Sequence, residues 1–431
     1  VPLWDGKMAP GFNGAMVMDR FGVVFSAILL ITAFLTVLLS FGRSEEDKSG
    51  YLALVLWGTM GMIVMAASGS LMTIFLGLEL LSLALYVMVA FDPKRPQARE
   101  AALKYFFLGS VASAFMLFGF ALVYGATGTM DLVAITKAAS AASGDLYFKV
   151  GVGLAVVGMA FKLALVPFHS WAPDVYQGAP TPITAYMSVG TKAAAFAVLA
   201  RFLVAAVPVK VMGPYLFPVS VLAAASMLLG STVGIWQNDL KRLMAYSGIA
   251  HAGYLVMGLV GLGTEGLSAA AYYLAAYAFT AMGIFAIIAI LESEGEEGSA
   301  FEVLQGLYYR RPALGAAMAL FMFALAGLPP TGGFVGKFLL AIAAVHNSAW
   351  VVLGALIVST GISAFVYLRV IGTVFKNTEA AKKPRMAGAV DDLALAPKAV
   401  RYGLIAVLVI ALLGTLWLGI LPGTATALFH V

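Results

Sequence analysis

The chain has 431 residues, 62% of them hydrophobic and 11% charged, and its mean hydropathy is +0.96. Those values exclude an ordinary soluble domain and a disordered chain, both of which need far more polar surface. The 26 basic and 21 acidic residues leave a net charge of +5, but the basic ones lie in short stretches between apolar runs, so membrane topology explains them better than nucleic acid does. No cysteine is present. Disulfides, thiolate metal sites and cysteine-ligated iron–sulfur clusters are therefore excluded, and any redox chemistry belongs to another chain.

The stretch from Val1 to Met18 is mixed and loop-like, without a basic region leading an apolar core, and does not read as a signal peptide. Apolar runs of the length a helix needs to cross ~30 Å of hydrocarbon follow, and the period-two alternation of a barrel is absent. Spans are predicted at 19–42, 51–67, 69–91, 101–125, 148–166, 181–206, 214–236, 241–263, 266–291, 312–346, 349–375 and 401–421. The expected fold class is all-α, a polytopic membrane helix bundle of about 12 spans with both ends on one side.

Loop charge sets the expected orientation. One side collects Arg43, Lys48, Lys94, Arg95, Arg99, Lys241, Arg242, Arg310, Arg311, Lys376, Lys382, Lys383, Arg385, Lys398 and Arg401, and the other Lys7, Arg20, Lys137, Lys149, Arg201 and Lys210. This asymmetry predicts that both termini lie outside the cytoplasm.

Two spans carry interruptions. The run 312–346 is too long for one straight crossing and contains Gly327-Leu328-Pro329-Pro330-Thr331-Gly332-Gly333. The span ending near Val166 meets Pro167, followed by Phe168-His169-Ser170-Trp171. Proline removes a backbone donor and clashes with the preceding turn, and the freed carbonyls are tolerated at membrane depth only beside a cavity or other protein. Both are expected to be broken helices. The openings Leu103-Lys104-Tyr105-Phe106 and Lys241-Arg242-Leu243-Met244 start basic and amphipathic, and each is followed by a further span and then a broken one. An odd number of helices between the two units would insert them with opposite orientation, as inverted repeats are inserted; the competing reading is chance similarity between apolar segments. The expected organisation is an N-terminal loop and first helix over 1–50, two inverted five-helix repeats over 51–206 and 214–375, and a cytoplasmic loop with a C-terminal helix over 376–431.

Four charges sit inside apolar spans: Glu79, Lys162, Lys192 and Lys337. A charge at the bilayer centre costs roughly 2.5–3.5 kcal/mol even on the lenient insertion scale, so these residues imply internal partners, internal water or both. At 1.5 Å per residue, Glu79 and Lys192 lie about 15 Å into their spans, and His251 reaches a similar depth. Lys162 and Lys337 each sit within two turns of a proline break. Lysine suits proton transfer because burial favours its neutral form and a nearby carboxylate its charged form. Moving or neutralising Glu79 would then switch Lys162 between holding and releasing a proton.

Each residue has a structural alternative. Glu79 could belong to an ion pair that fixes packing. Lys104, at the start of its span, is either a snorkelling lysine or a coupling residue. His251, with Tyr246, Ser247 and Tyr254 on the same helix, is either part of a water-linked proton chain or a hydrogen-bonded packing histidine. His169 reads as a capping or packing residue. The acidic run Glu292, Glu294, Glu296 and Glu297 reads as a solvated loop. The glycine-rich stretch 327–336 lacks the strand-to-helix setting of a nucleotide site.

The segment from Lys162 through Pro167-Phe168-His169-Ser170-Trp171-Ala172-Pro173-Asp174 to Thr181 resembles the signature of the antiporter-like subunits of respiratory complex I. The segment from Lys241 to Tyr254 is similar to their second signature, Glu79 lies in Leu78-Glu79-Leu80-Leu81-Ser82, and Lys337 lies in Gly333-Phe334-Val335-Gly336-Lys337-Phe338. Lysine at 337, and no long lateral helix before Val431, bring the chain closest to the subunit N branch of that family. The family usually has fourteen spans, so the first two are expected to be missing from this sequence.

The resemblance implies that Glu79 and Lys162 form the modulating pair, Lys192 connects, Lys337 ends the output path, and Lys104 matches a further lysine near the cytoplasmic side. Ser247, His251 and Tyr254 would support them. It implies proton translocation by a non-redox subunit of NADH:quinone oxidoreductase in the inner (plasma) membrane, driven by quinone reduction elsewhere. No cofactor or metal is expected in this chain; NADH, FMN, iron–sulfur clusters and quinone would sit in partner subunits. Expected partners are antiporter-like subunit M, the small subunits K and J, and the lipid bilayer, with no nucleic acid. Competing readings are a subunit of a multi-chain sodium/proton antiporter, the corresponding subunit of a membrane-bound hydrogenase or ferredoxin-driven complex, and a purely structural membrane scaffold.

Overall fold

The computed structural model describes residues 10–41, 48–92, 95–206, 213–260, 263–293, 299–377 and 398–429. Expectations for Lys7, Arg43, Lys94, Lys210, Glu294, Glu296, Glu297, Lys382, Lys383 and Arg385, and for the side chains of Lys48 and Lys398, lie outside them.

A short hairpin, β1 (Pro10–Gly11) with β2 (Met16–Val17), precedes a helical bundle. The first half comprises α1 (Arg20–Leu39), α2 (Lys48–Ala66), α3 (Leu71–Val89), α4 (Pro96–Thr127), α5 (Leu132–Ala142), α6 (Leu146–Leu163), α7 (Trp171–Gly178), α8 (Thr181–Tyr186) and α9 (Lys192–Ala206), with a π-helical turn, Met187–Thr191, joining α8 to α9. The second half comprises α10 (Gly213–Gly234), α11 (Leu240–Met257), α12 (Thr264–Ser293), α13 (Phe301–Leu304), α14 (Leu307–Arg310), α15 (Pro312–Ala326), α16 (Gly332–His346), α17 (Trp350–Val374) and α18 (Lys398–Ile420).

All twelve predicted spans coincide with helices. Ten are long and apolar enough among the described residues to cross a bilayer, and α11 and the interrupted pair α15–α16 make up the rest. The chain is therefore a multi-pass membrane protein. The amphipathic helix α5 and the short α13 and α14 had not been expected, because none is long enough to register as a span.

Helix starts follow local chemistry. Side chains of Asp19, Ser70, Asp131, Asp145 and Asp239 accept backbone N–H bonds in the first turns of α1, α3, α5, α6 and α11, satisfying donors that have no intrahelical partner. The two helices that cross the middle of the bundle are the continuous Thr181–Ala206, wholly buried, and α12, almost wholly so. Large apolar residues such as Leu30, Phe34, Phe107, Phe118, Ile357 and Phe365 face outward, as a lipid-facing surface requires.

Both expected breaks are present. The first separates α6 from α7, with Ala164 in the left-handed region (φ 58°) and a cis peptide bond at Val166–Pro167. The second separates α15 from α16, with Gly327 left-handed (φ 80°) and a cis bond at Pro329–Pro330. Glycine at 327 accepts that φ without the penalty a side chain would incur.

Two residues counted as loop charges are buried inside the bundle. Arg201 lies inside α9, fully buried; its Nη1 and Nη2 donate to Asp19 at 3.0 and 2.5 Å, and its Nε donates to the Ala66 carbonyl at 2.7 Å. Lys241 is also buried, with its Nζ 2.8 Å from Glu292. Each basic group is held by a carboxylate from a distant segment, which loop counting could not register.

Candidate functional site

Between the two breaks runs a row of buried polar side chains. Lys162, in the last turn of α6, donates to Ser82 Oγ on α3 at 2.8 Å and to the Tyr105 hydroxyl on α4 at 3.0 Å. Its ammonium also lies over the Tyr105 ring, 4.9 Å from the centroid. Tyr105 stacks on Trp171 of α7 at 4.7 Å, and the Trp171 indole N–H donates to the Phe161 carbonyl at 2.8 Å, tying the two sides of the break together.

Five residues further along α7, the Tyr176 hydroxyl accepts from Lys192 at 2.8 Å. Lys192 follows directly on the π-helical turn, an irregularity often found at functional sites. Its ammonium passes Gly248 of α11 so closely that a Cβ there would sit 3.1 Å from Nζ and 3.4 Å from the Tyr277 hydroxyl. A side chain at 248 would separate those two groups.

Tyr277 packs on His251, with ring centroids 4.7 Å apart. His251 is the centre of the second half. Its Nδ1 is hydrogen-bonded to the Tyr273 hydroxyl, and its Nε2 lies 3.3 Å from the Tyr367 hydroxyl, which also meets Ser247 Oγ at 2.7 Å. The Tyr254 hydroxyl meets Ser359 Oγ at 2.7 Å, and the Lys337 ammonium lies 5.0 Å from the Tyr254 ring centroid. Lys337 donates to the carbonyls of Leu325 and Ala326 at 3.0 and 3.1 Å. Those carbonyls belong to the last turn of α15, where no following helical turn supplies a donor.

The structure thus brings Lys162, Lys192, His251 and Lys337 into one layer, with Ser247 and Tyr254 on the same face of α11 as His251. Tyr246, about 100° around that helix from Ser247, is only partly buried and packs on a neighbouring face. Glu79 is within electrostatic range of Lys162, but the two are not in contact. Among the described residues none of Lys162, Lys192 and Lys337 has a carboxylate at ion-pair distance, unlike the buried Lys241. Oxygen Oε1 of Glu79 and the Tyr277 hydroxyl are buried without a hydrogen-bond partner there.

Lys104 lies off this layer. It is close to half-exposed and pairs with Glu100 at 2.9 Å and with Asp174 of α7 at 2.8 Å, while Arg242 of α11 reaches the other oxygen of Asp174 at 2.7 Å. Burial pushes the Asp174 carboxyl up, but the hydrogen bonds from Lys104 and Arg242 outweigh it and hold the group below the usual carboxylate range. Asp174 therefore stays an anion that ties α7 to α4 and α11.

Sequence reasoning missed Ser82, Tyr105, Tyr176, Tyr273, Tyr277, Tyr367 and Ser359. The i, i+4 spacing of Tyr273 and Tyr277 on an otherwise apolar helix was a usable signal for a polar face. Tyr105 and Tyr176 each lie inside a motif whose lysine attracted attention first. Reading Glu292 as a solvated loop residue is corrected by its contacts with Lys241 and Thr181.

The family model for the transmembrane domain of NADH:quinone oxidoreductase and the Mrp antiporter matches residues 68–363. The chain is 61% identical to NADH-quinone oxidoreductase subunit N 1 of Symbiobacterium thermophilum, over all of this chain and 88% of that one. It is 40% identical to the protein of the same name from Herpetosiphon aurantiacus, over 98% of this chain and 86% of that one. Among solved structures it superposes on a chain of respiratory complex I from Thermus thermophilus with TM-score 0.79 and 37% identity, covering 99% of this chain and 89% of that one. A chain of the Mrp complex from Dietzia matches with TM-score 0.81 at 23% identity over 98% and 85% of the two, a likeness of fold. The chain belongs to the subunit N family of NADH-quinone oxidoreductase, within the antiporter-like membrane subunits.

Proposed function

We propose that the chain is the proton-translocating subunit N of an NADH:quinone oxidoreductase membrane arm, a non-redox part of that enzyme. One observation carries the reading: three buried lysines and a histidine are linked by tyrosine hydroxyls and rings from one helix break to the other. Hydroxyl and imidazole groups and a lysine passing between amine and ammonium can each accept and release a proton, and the neutral partners of the lysines leave no fixed counter-charge to trap one. Moving one charge against 100 mV costs about 2.3 kcal/mol, which arrives here through conformational or electrostatic coupling. Glu79, in range of Lys162 without touching it, supplies a carboxylate whose approach would hold the proton there and whose withdrawal would release it.

In this reading Lys162, Lys192 and Lys337 carry the proton, with Ser247, His251 and Tyr254 supporting the step between the last two. NADH, FMN, iron–sulfur clusters and quinone are assigned to partner subunits, and the membrane-arm neighbours to subunits M, K and J. The membrane is the cell's inner (plasma) membrane, with both ends of the sequence on its outer side. The end of the bundle bearing Lys104, Asp174 and Lys241 then faces the cytoplasm.

The test is proton pumping by the assembled complex in sealed vesicles. Lys162→Ala and Glu79→Ala are expected to assemble, with coupled quinone reduction and pumping falling by about 100-fold or more for Lys162→Ala, the loss typical of a removed proton carrier. Full pumping by Lys162→Ala would overturn the assignment. A purified native assembly without NADH-oxidising and quinone-binding chains would favour an antiporter instead.

A further inference from the structure

A cavity of about 390 Å³ opens at the junction of the two halves, where the starts of α4 and α11 meet α7 and the end of α12. Its charged lining is Arg95, Glu100, Lys104, Asp174, Asp239, Lys241 and Glu292, three basic groups against four acidic ones. Arg242 reaches Asp174 at the edge of this lining, so four basic groups balance the four acidic ones and the cleft is polar without an excess of either sign.

The carboxylates do not have equal freedom. Asp174 is neutralised by Lys104 and Arg242. Asp239 caps α11 through Arg242 N–H and also accepts from Ser299. Glu100 pairs with Lys104 on the outer rim. Glu292 alone among them joins the cavity to the buried interior: Oε1 faces the buried Lys241 ammonium at 2.8 Å and Oε2 accepts from Thr181 Oγ1 at 2.6 Å.

From there, polar atoms continue inward. Lys241 Nζ lies 3.5 Å from the Ala179 carbonyl, and Thr184 Oγ1 donates to the carbonyls of Ala179 and Tyr176 at 3.4 and 3.0 Å. These are main-chain acceptors, which mark a polar seam without themselves relaying a proton, and at the far end of the Tyr176 side chain its hydroxyl accepts from Lys192. Thr181 precedes Lys192 by eleven residues, about 16 Å at helical rise.

We propose that this cavity is the water-filled intake of the proton path and that Glu292 is its acceptor carboxylate. The inference rests on the proton-translocating reading above and adds to it the place and group of uptake. Hydronium gives a proton to the Glu292 carboxylate, leaving water and a neutral carboxyl. The carboxyl then releases that proton inward, toward Tyr176 and Lys192, and becomes a carboxylate again. Lys241 is a positioning residue that holds the carboxylate against the buried edge.

The test uses the assembled complex in vesicles. Glu292→Gln is expected to slow pumping at least about ten-fold, with the deficit growing as the pH rises and proton donors become scarce, and Glu292→Asp is expected to recover part of the rate. A purely structural carboxylate would lower assembly without moving the pH profile. Glu292→Gln pumping at the parent rate across the pH range, in a complex where Lys162→Ala stops pumping, would overturn the inference while leaving the function intact. Unimpaired pumping by Lys162→Ala would instead remove the function beneath it.

If Glu292→Gln fails to assemble, the absence of native cysteines in the chain allows a second measurement. In Gln177→Cys, a charged membrane-impermeant thiol reagent added from the cavity side is expected to label this chain and to lower its pumping relative to the same vesicles before treatment. Labelling without inhibition, or no labelling, would overturn the intake.

Discussion

The two helix breaks look alike along the chain and solve different problems. At the first, Lys162 precedes the break and its donors go to side-chain oxygens on two other helices, Ser82 and Tyr105. At the second, Lys337 follows the break and its donors go to main-chain carbonyls left open at the end of α15. The first lysine is therefore held by groups that can rotate away, since Ser82 Oγ also bonds the Leu78 carbonyl and Tyr105 is a hydroxyl rotor. The second is bound into the backbone of the break itself. A proton carrier in the first setting can exchange partners cheaply, whereas one in the second is coupled to the local fold.

Substitutions can break or sharpen that contrast. The largest effect is expected away from both breaks, at Arg201→Ala, which leaves Asp19 charged and unpaired in the interior at a cost of about 3–5 kcal/mol. Loss of the assembled subunit on native gels would mark Arg201 as a structural charge, unlike the lysines of the layer. Next is Lys337→Ala, which should stop pumping and also strip two buried carbonyls of their donor, costing about 1–3 kcal/mol for each group left unsatisfied. Thermal unfolding in detergent should show a lowered midpoint.

Lys162→Ala should stop pumping with a smaller change in that midpoint, because Ser82 keeps its carbonyl bond. Equal destabilisation by the two lysine substitutions would erase the contrast. Tyr176→Phe, which removes one hydrogen bond from Lys192, is expected to slow pumping several-fold, the effect of about 1 kcal/mol. The smallest effect belongs to Asp174. Its carboxyl is held below the ordinary value, so its contribution is present above the unfolded value near 4 and disappears as the pH falls through the lower folded one. Asp174→Asn should therefore match the parent in stability once the pH lies below the folded value and fall slightly behind it at neutral pH, by up to about 1 kcal/mol for partly exposed pairs.

Much of the fold was legible because it is written in local patterns. Apolar run length located the spans, and Pro167 and Pro329-Pro330 located the breaks, since a missing donor interrupts a helix wherever it falls. Position along the span was predicted for Lys192 and His251 by counting residues along a helix of fixed rise. The site was legible only in its charged members. Arg201 and Lys241 were read as loop charges because their partners, Asp19 and Glu292, come from distant segments. Glu292 looked like the start of a solvated acidic run until α11 brought Lys241 to it.

The sequence by itself determined the membrane class, the order of the helices, the two interruptions and the cost of placing charges between them. All of these depend on hydrophobicity and backbone chemistry within one segment. Only the tertiary structure decided what each charge touches. Lys162 finds its partners 80 and 57 positions away, and Arg201 finds Asp19 at 182. Hydrogen bonds act over about 3 Å in space and carry no signature along the chain. The neutral partners of the three lysines, which suit a mobile proton better than fixed ion pairs would, emerge only when the helices are packed.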